Sequence, residues 1–425
     1  MPARRLMWLR TRLLGIAAEI RDSYWFVPAL IAMICFAAGL GLIYADAVLG
    51  DAWLGRYEWL YGSRPEGARA VLSTVAGSTI TVAGVVFSIT LAAVTYASGQ
   101  YGPRLLSNFA RDRGNQVTLG VFIGTFLYCL VVLRTIRSAE EASAETAGAV
   151  RDAFVPHLAM FGALALAVAS MAVLIYFVHH VTDAIHVNNL IARIGRALLR
   201  DVKRYRDDSA KHGAPVTPPG PDAWACGAPA TGYLRSIDAD SLLESAARHE
   251  ARVTLLAGPG DFVHRGRPLL LVEGPRTAEL RKLAGAVAVG RKRSPDQDLR
   301  FLLDELVEIA ARALSPGVND PFTAVACIDW LGAALSELDR LPPLGGTRKG
   351  EGGRGALTMP ALGFVDFLDV AAGRLRHYAA RDPIAGARLH SALRTVAAGS
   401  TEAAHRALLE REMAALRDAM DKGTD

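Results

Sequence analysis

Four long apolar stretches, at 24–49, 71–97, 117–133 and 157–181, occupy most of the first 181 residues and leave that part of the chain few ways to fold. At about 1.5 Å of rise per residue, roughly twenty apolar residues cross the hydrocarbon of a bilayer, so each stretch predicts a transmembrane helix. The third is the shortest, at 17 residues, and Arg134 and Arg137 stand at its end, where long basic side chains snorkel to the interface. Across the 425 residues, 51% hydrophobic content with 21% charged excludes a disordered chain. The net charge of +5 is too small to imply a nucleic-acid partner.

The distribution of charge orients the spans. Lys and Arg number 14 in segments 1–23, 98–116 and 182–206, against 6 in 50–70 and 134–156. The positive-inside rule therefore places both termini in the cytoplasm, with everything after residue 181 cytosolic. In 1–23, Arg4, Arg5, Arg10, Arg12 and Arg21 interleave with Leu6, Leu9, Leu13, Ile16 and Ile20. That is the pattern of a basic helix on an anionic membrane face, or of an ordinary positive flank. The apolar run that follows is too long for a removable signal peptide and lacks a clear small-residue cleavage site.

Beyond the spans, 182–230 reads as a basic juxtamembrane helix and linker. Its Arg193, Arg196, Arg200, Lys203, Arg204 and Arg206 suit anionic headgroups or simply a solvated face. Pro-rich 208–230 and Gly-rich 341–356 read as linkers, which leaves a 231–340 α+β module and a helical 357–425. The expected fold class is thus membrane α-helical: four transmembrane helices, then a cytosolic α+β region with a small β-rich module and a helical C-terminal part.

In the module, TGYLRSID and EARVTLLA read as strands around a short helix opened by a capping box at Ser241-x-x-Glu244. The phrase Gly260-Asp261-x-Val263-x-x-Gly266-x-Pro268-Leu269 resembles the hairpin of barrel-sandwich domains, the class of biotinyl and lipoyl carriers. Segment 231–274 holds no lysine for attachment, which removes carrier chemistry and leaves a structural module, or one that binds a ligand or a neighbouring subunit. Arg300, Asp304, Glu308 and Arg312 recur at i,i+4 and predict an exposed ion-pair ladder. In Ser315-Pro-Gly-Val-Asn-Asp-Pro321, Asp320 is placed to cap the next helix and Pro321 suits its first turn. The polar groups of Ser315, Asn319 and Asp320 either close that joint or form a ligand pocket.

Two segments, QYGPRLLSNFARDRGNQVTLGVFIGTFLYCLVVLRTIR and QDLRFLLDELVEIAARALSPGVNDPFTAVACIDWL, resemble the signatures of a bacterial predicted-membrane-protein family filed as domain of unknown function 2254. The resemblance runs from the first span to about residue 340. It implies a common architecture, names no reaction and supplies no catalytic residues. With the orientation above, it implies a multi-pass protein of the bacterial inner (plasma) membrane.

The functional signal lies in the second span. At 100° per residue, Thr74, Gly77, Ser78, Thr81, Val85, Ser88, Ala92 and Thr95 share an arc of roughly 100°, with Val85 its only bulky aliphatic member. Gly, Ala, Ser and Thr let helices approach closely, so the face suits a packing seam. Equally, its hydroxyls solvate a permeating species without burying a charge, and Val85 is an apolar constriction that gates by dewetting. At the inner end, Gly102 and Pro103 interrupt the helix and Arg104 makes the mouth positive. Four spans are too few for a roomy pore in one chain, so a channel requires a homo-oligomer.

Other chemistry is set aside. Apart from Asp46 near an outer end, the spans hold no Asp, Glu, Lys or Arg, which places an ion-driven transporter below a passive channel or a sensor. No phosphate loop, zinc-protease helix or nucleophile elbow is present, so no enzyme and no cofactor are expected. The four cysteines form no CxxC pair. His179, Asp183 and His186 share a helical face at i, i+4 and i+7 and are the best metal candidates, although three ligands over two turns converge only with strain. The expectation is a homo-oligomeric channel lined by the second span and regulated by its cytosolic domain. The alternative is a membrane-anchored sensor or scaffold that binds a ligand or protein through that domain. Partners are the bilayer, its anionic headgroups and further copies of the chain.

Overall fold

The computed structural model describes residues 24–49, 65–101, 112–136, 155–209 and 216–422. It comprises two compact units, one built on the first four helices and one running from Val187 onward. The basic segment 1–23 lies outside the described residues.

The helices of the first unit are α1 (Phe26–Leu49), α2 (Pro65–Tyr101), α3 (Arg113–Thr135) and α4 (His157–Ile185). All four are long and apolar enough to cross a membrane, as the hydropathy predicts. Helix α2 exceeds its expected 71–97: at 37 residues it is about 55 Å long, well over the roughly 30 Å of a hydrocarbon core. Helix α3, the shortest expected span, is the axis of the unit. One apolar cluster sets its Tyr128, Cys129 and Val132 against Ala68, Leu72 and Ala76 of α2 and Ala159 and Ala163 of α4. A second joins Leu119 and Phe122 to Ala83 and Val86 of α2 and to Phe177 of α4.

Glycine makes the α1–α3 approach possible. A Cβ on Gly120 would stand 2.8 Å from Ile31 Cδ1 and 3.1 Å from the Pro28 Cα, and one on Gly124 would stand 2.8 Å from Cys35 Sγ. Gly120-x-x-x-Gly124 is the small-xxx-small spacing that lets helix backbones meet in lipid. Some polar groups in the unit are paired across helices. Tyr128 Oη donates to the Ala159 carbonyl at 2.8 Å, and Thr125 and Ser170 hydroxyls lie 3.1 Å apart. Asp46 accepts from the Leu158 and Ala159 amides, each at 3.0 Å. Pro156, at the N-cap of α4, makes no side-chain capping bond, so a carboxylate from α1 caps that helix instead.

The second unit opens with α5 (Val187–Ser209) and continues through two sheets. Strands β1 (Trp224–Gly227), β2 (Gly232–Ile237), β3 (Arg252–Leu255), β4 (Phe262–Val263), β5 (Pro268–Glu273), β6 (Val287–Gly290), β7 (Leu344–Lys349) and β8 (Ala356–Leu362) form a five-stranded sheet, β1-β5-β3-β8-β7, and a three-stranded one, β4-β2-β6. Consecutive β4 and β5 enter different sheets. Leu234, Val253, Leu269, Leu270, Val272 and Leu357 meet in one core fed by both. Helix α6 (Ala239–Arg248) adds Leu242 to that core. The helical part consists of α7 (Leu299–Ala313), α8 (Pro321–Leu338), α9 (Phe364–Leu368), α10 (Arg374–Ala379), α11 (Pro383–Gly399) and α12 (Ala403–Lys422), with a π turn at Asp369–Gly373 between α9 and α10.

Several local expectations change. Gly-rich 341–356 holds β7 and the start of β8, so it is sheet and not a linker. Gly345 takes φ +110° at the β7 bulge, and a Cβ there would meet the Pro360 carbonyl oxygen. Segment 357–425 begins with a strand, because β8 pairs in parallel with β3. Strand β1 likewise falls within the stretch read as a Pro-rich linker. Helix α6 is capped by Asp238, which accepts from the Ser241 amide at 3.1 Å; Ser241 is inside the helix and not its cap.

Two members of the expected ladder on α7, Arg300 and Asp304, are not exposed and pair outside the helix. Asp304 is 7% exposed and pairs with Arg293 at 2.6 Å and Arg374 at 2.8 Å, while Arg300 reaches Asp261 at 2.8 Å. Arg293 also pairs with Asp298 at 2.6 Å. Burial pushes the Asp298 carboxyl above the usual range despite the Arg293 charge.

Candidate functional site

The second span resolves into two opposite faces. Ala68, Leu72, Ala76, Thr79, Ala83, Val86, Thr90 and Ala93 are buried against the rest of the first unit. At 100° per residue the middle of this set lies on the far side of the helix from the hydroxyl stripe. Every member of the stripe faces outward: Thr74, Gly77, Ser78, Thr81, Ser88, Ala92 and Thr95 are exposed, and Val85 is 52% exposed. Bulky Ile80, Phe87 and Leu91 border it on one side and Val71 and Ile89 on the other.

Among the described residues of this unit, nothing packs against the stripe at its glycines. A Cβ added at Gly77 or Gly84 would meet nothing within 4 Å, in contrast to Gly120 and Gly124 of α3. The close-packing spacing lies on α3, and Gly120-x-x-x-Gly124 was legible in the sequence as its signal.

Four of the stripe hydroxyls donate back along their own helix. Thr74 Oγ1 gives its proton to the Ala70 carbonyl at 2.8 Å, Thr81 to Gly77 at 2.7 Å and Ser88 to Gly84 at 2.9 Å. Ser78 donates to Val75 at 3.0 Å. Each donor is satisfied, and the hydroxyl oxygens keep lone pairs for a partner outside the helix. The arrangement offers a column of weak acceptors on the outward side of the helix.

The remaining candidates are dispersed. Pro103 and Arg104 of the expected mouth lie outside the described residues. His179 and Asp183 form an exposed i,i+4 pair at 3.5 Å. Helix α4 stops at Ile185 and His186 is its extended C-cap, so the three expected metal ligands do not share one helical face. Among the described residues no group of three or more His, Cys, Asp or Glu gathers as a metal site.

The Ser315–Pro321 joint uses its polar groups to close itself. Ser315 Oγ donates to the Arg312 carbonyl at 2.6 Å, Asn319 adopts φ +48° with its amide on the Ser315 carbonyl, and Asp320 caps α8 through the Thr323 amide.

Two further polar sites draw on residues whose partners the sequence does not show. His180 Nε2 lies 2.9 and 3.0 Å from the two Asp112 oxygens, and its ring stacks on Tyr176 with centroids 5.3 Å apart. Asp112 also caps α3 through the Gly114 amide at 2.9 Å. Asp46 is the other, as the cap of α4. The local signal for both was a lone carboxylate in or beside an apolar run, which demands a partner.

Comparison with known proteins now adds the lineage. Residues 21–395 match the family described as predicted membrane protein (DUF2254). The chain belongs to that family. It is similar to an uncharacterized protein of Mycobacterium bovis and to uncharacterized proteins of two Mycobacterium tuberculosis strains, each 33% identical over 367 residues. Those alignments span 84% of this chain and 68% of each relative. No solved structure matches. The family confirms the membrane architecture expected from the two quoted segments.

Proposed function

We propose that the protein is a homo-oligomeric channel of the bacterial inner membrane, with α2 of each copy lining the path and both termini in the cytoplasm. The supporting observation is the uncovered stripe of small and hydroxyl-bearing residues on the side of α2 opposite its buried face. An anchor helix needs only bulky apolar residues toward lipid, and α1 and α4 meet that need with Met33, Ile34, Leu164, Val168, Met171 and Ile175. Around an oligomer axis the α2 hydroxyls would face water and Val85 would be the apolar constriction. On this reading the second unit regulates the path and the protein carries out no covalent chemistry.

Cysteine accessibility tests it. In chains lacking Cys35 and Cys129, Ser78→Cys, Thr81→Cys and Ser88→Cys should react with a membrane-impermeant thiol reagent, whereas Ile80→Cys and Leu91→Cys should not. In planar bilayers Val85→Ser should raise conductance and Ser88→Leu should lower it. Silence of the stripe positions together with absence of current in every version would overturn the proposal. The size of the second unit, more than half of the chain, favours the sensor or scaffold as the second reading, and it predicts that silent result.

A further inference from the structure

Helix α5 is strongly two-faced, and the structure shows which face is taken. Leu190, Ile191, Ile194, Leu198 and Val202 are buried, and the helix packs on α7 and α8. Gly195 lies so close to Trp330 that a Cβ would meet its ring. Near the C-terminal end, Tyr205 Oη donates to the Gln297 carbonyl at 2.7 Å and Arg206 pairs with Glu337 at 3.4 Å. The apolar side and the last turn are thus committed to the second unit.

The other side carries Arg193, Arg196, Arg200, Lys203 and Arg204, which at 100° per residue share an arc of roughly 100°. Arg196, Arg200, Lys203 and Arg204 are exposed. Among the described residues none of the five closes an ion pair. Asp201, half-buried beside them, offers its charge to Arg204 and Arg200, and exposed Asp207 is the one acidic residue on the arc. Chain connectivity keeps the start of this helix close to the end of a membrane span. Only His186 separates the end of span α4 from Val187 at the start of α5. Along the helix, Arg193 is about 9 Å and Arg204 about 26 Å from that start.

We propose that this face of α5 binds anionic lipid headgroups as a non-inserting electrostatic clamp. Because the apolar side is buried against α7 and α8, the clamp contributes charge alone and no acyl-chain insertion. It therefore responds to the anionic lipid fraction and to salt. The inference is independent of whether α2 lines a channel.

The test uses the full chain reconstituted in phosphatidylcholine bilayers with trace spin-labelled phosphatidylglycerol or spin-labelled phosphatidylcholine. Electron spin resonance then gives the protein's preference for the anionic probe. Replacing four cations together (Arg196→Gln, Arg200→Gln, Lys203→Gln, Arg204→Gln) should lower that preference about threefold or more. Charge-retaining Arg196→Lys, Arg200→Lys and Arg204→Lys together should keep it. About 1 M NaCl, where the screening length is about 3 Å, should remove the difference between wild type and the glutamine variant. An unchanged preference in the glutamine variant, an equal loss in the lysine variant, or a difference that survives high salt would each overturn the proposal. The first of these results is also what a face reserved for a protein partner gives.

Discussion

Single glycines separate the two kinds of small-residue surface in the membrane unit. Gly124 has the Cys35 side chain 2.8 Å from where a Cβ would be, whereas Gly84 has nothing within 4 Å. Gly124→Leu should therefore destabilise the fold by about 1–3 kcal/mol through overpacking, read as a lower melting temperature in detergent. Gly84→Leu should leave the melting temperature of the single chain unchanged or slightly raised, since a mid-helix glycine is itself unfavourable by roughly 0.5–1 kcal/mol. Any effect of Gly84→Leu should emerge instead in conductance or in cross-linking between copies. Equal destabilisation by both substitutions would place the α2 stripe in a packed interior after all. The sequence revealed the stripe itself, because residues every three or four positions define a face without reference to anything else. It could not reveal what the face touches. Gly77 and Gly120 look alike along the chain and differ only in whether another helix lies against them.

Elements were legible where their pattern is local and ambiguous where it is shared. Each apolar stretch became a helix because no other structure in the chain could satisfy that backbone in lipid. The i,i+4 charges on α7 misled because that spacing equally suits partners elsewhere in the chain, and Asp304 takes both Arg293 and Arg374, the second 70 residues on. Composition misled at 341–356, since glycine-rich chain reads alike whether it is slack or bent into a bulge.

One element contact carries a pH signature. Arg248, at the end of α6, pairs with Glu279 at 2.6 Å, and His249 adds a contact at 3.3 Å. Burial draws the Glu279 carboxyl upward, but the His249 hydrogen bond and the Arg248 charge outweigh it and hold the group below its ordinary 4.5. A depressed carboxylate stabilises the fold above its unfolded value, and that contribution is lost as pH falls through the folded one. Glu279→Gln should accordingly lower the melting temperature at pH near 7 and converge on wild type as the solution is acidified below 4.5. A gap of constant size over that range would show that the contact acts through shape and not charge.

In the second unit as a whole, sheet and helices are tied by charge as well as by apolar packing. Arg300 of α7 reaches Asp261 in the loop before β4, and Arg293 and Arg374 converge on Asp304. Breaking a buried pair leaves its partner uncompensated, so Asp304→Asn should destabilise the protein by about 3 kcal/mol, read by urea unfolding of the full chain in detergent. The loss should be steeper than for Arg388→Gln, whose partner Asp329 lies in solvent. Similar losses would mean that the burial of the Arg293 network has no energetic weight.

The central place of α3 also bears on how the molecule is made. A ribosome releases α1 and α2 into the bilayer before the helix against which both bury their inner faces has been synthesised. A nascent chain stopped after residue 101 thus exposes to lipid two surfaces that belong to an absent neighbour. Insertion and assembly become separate events, with tertiary structure waiting on the arrival of the third span.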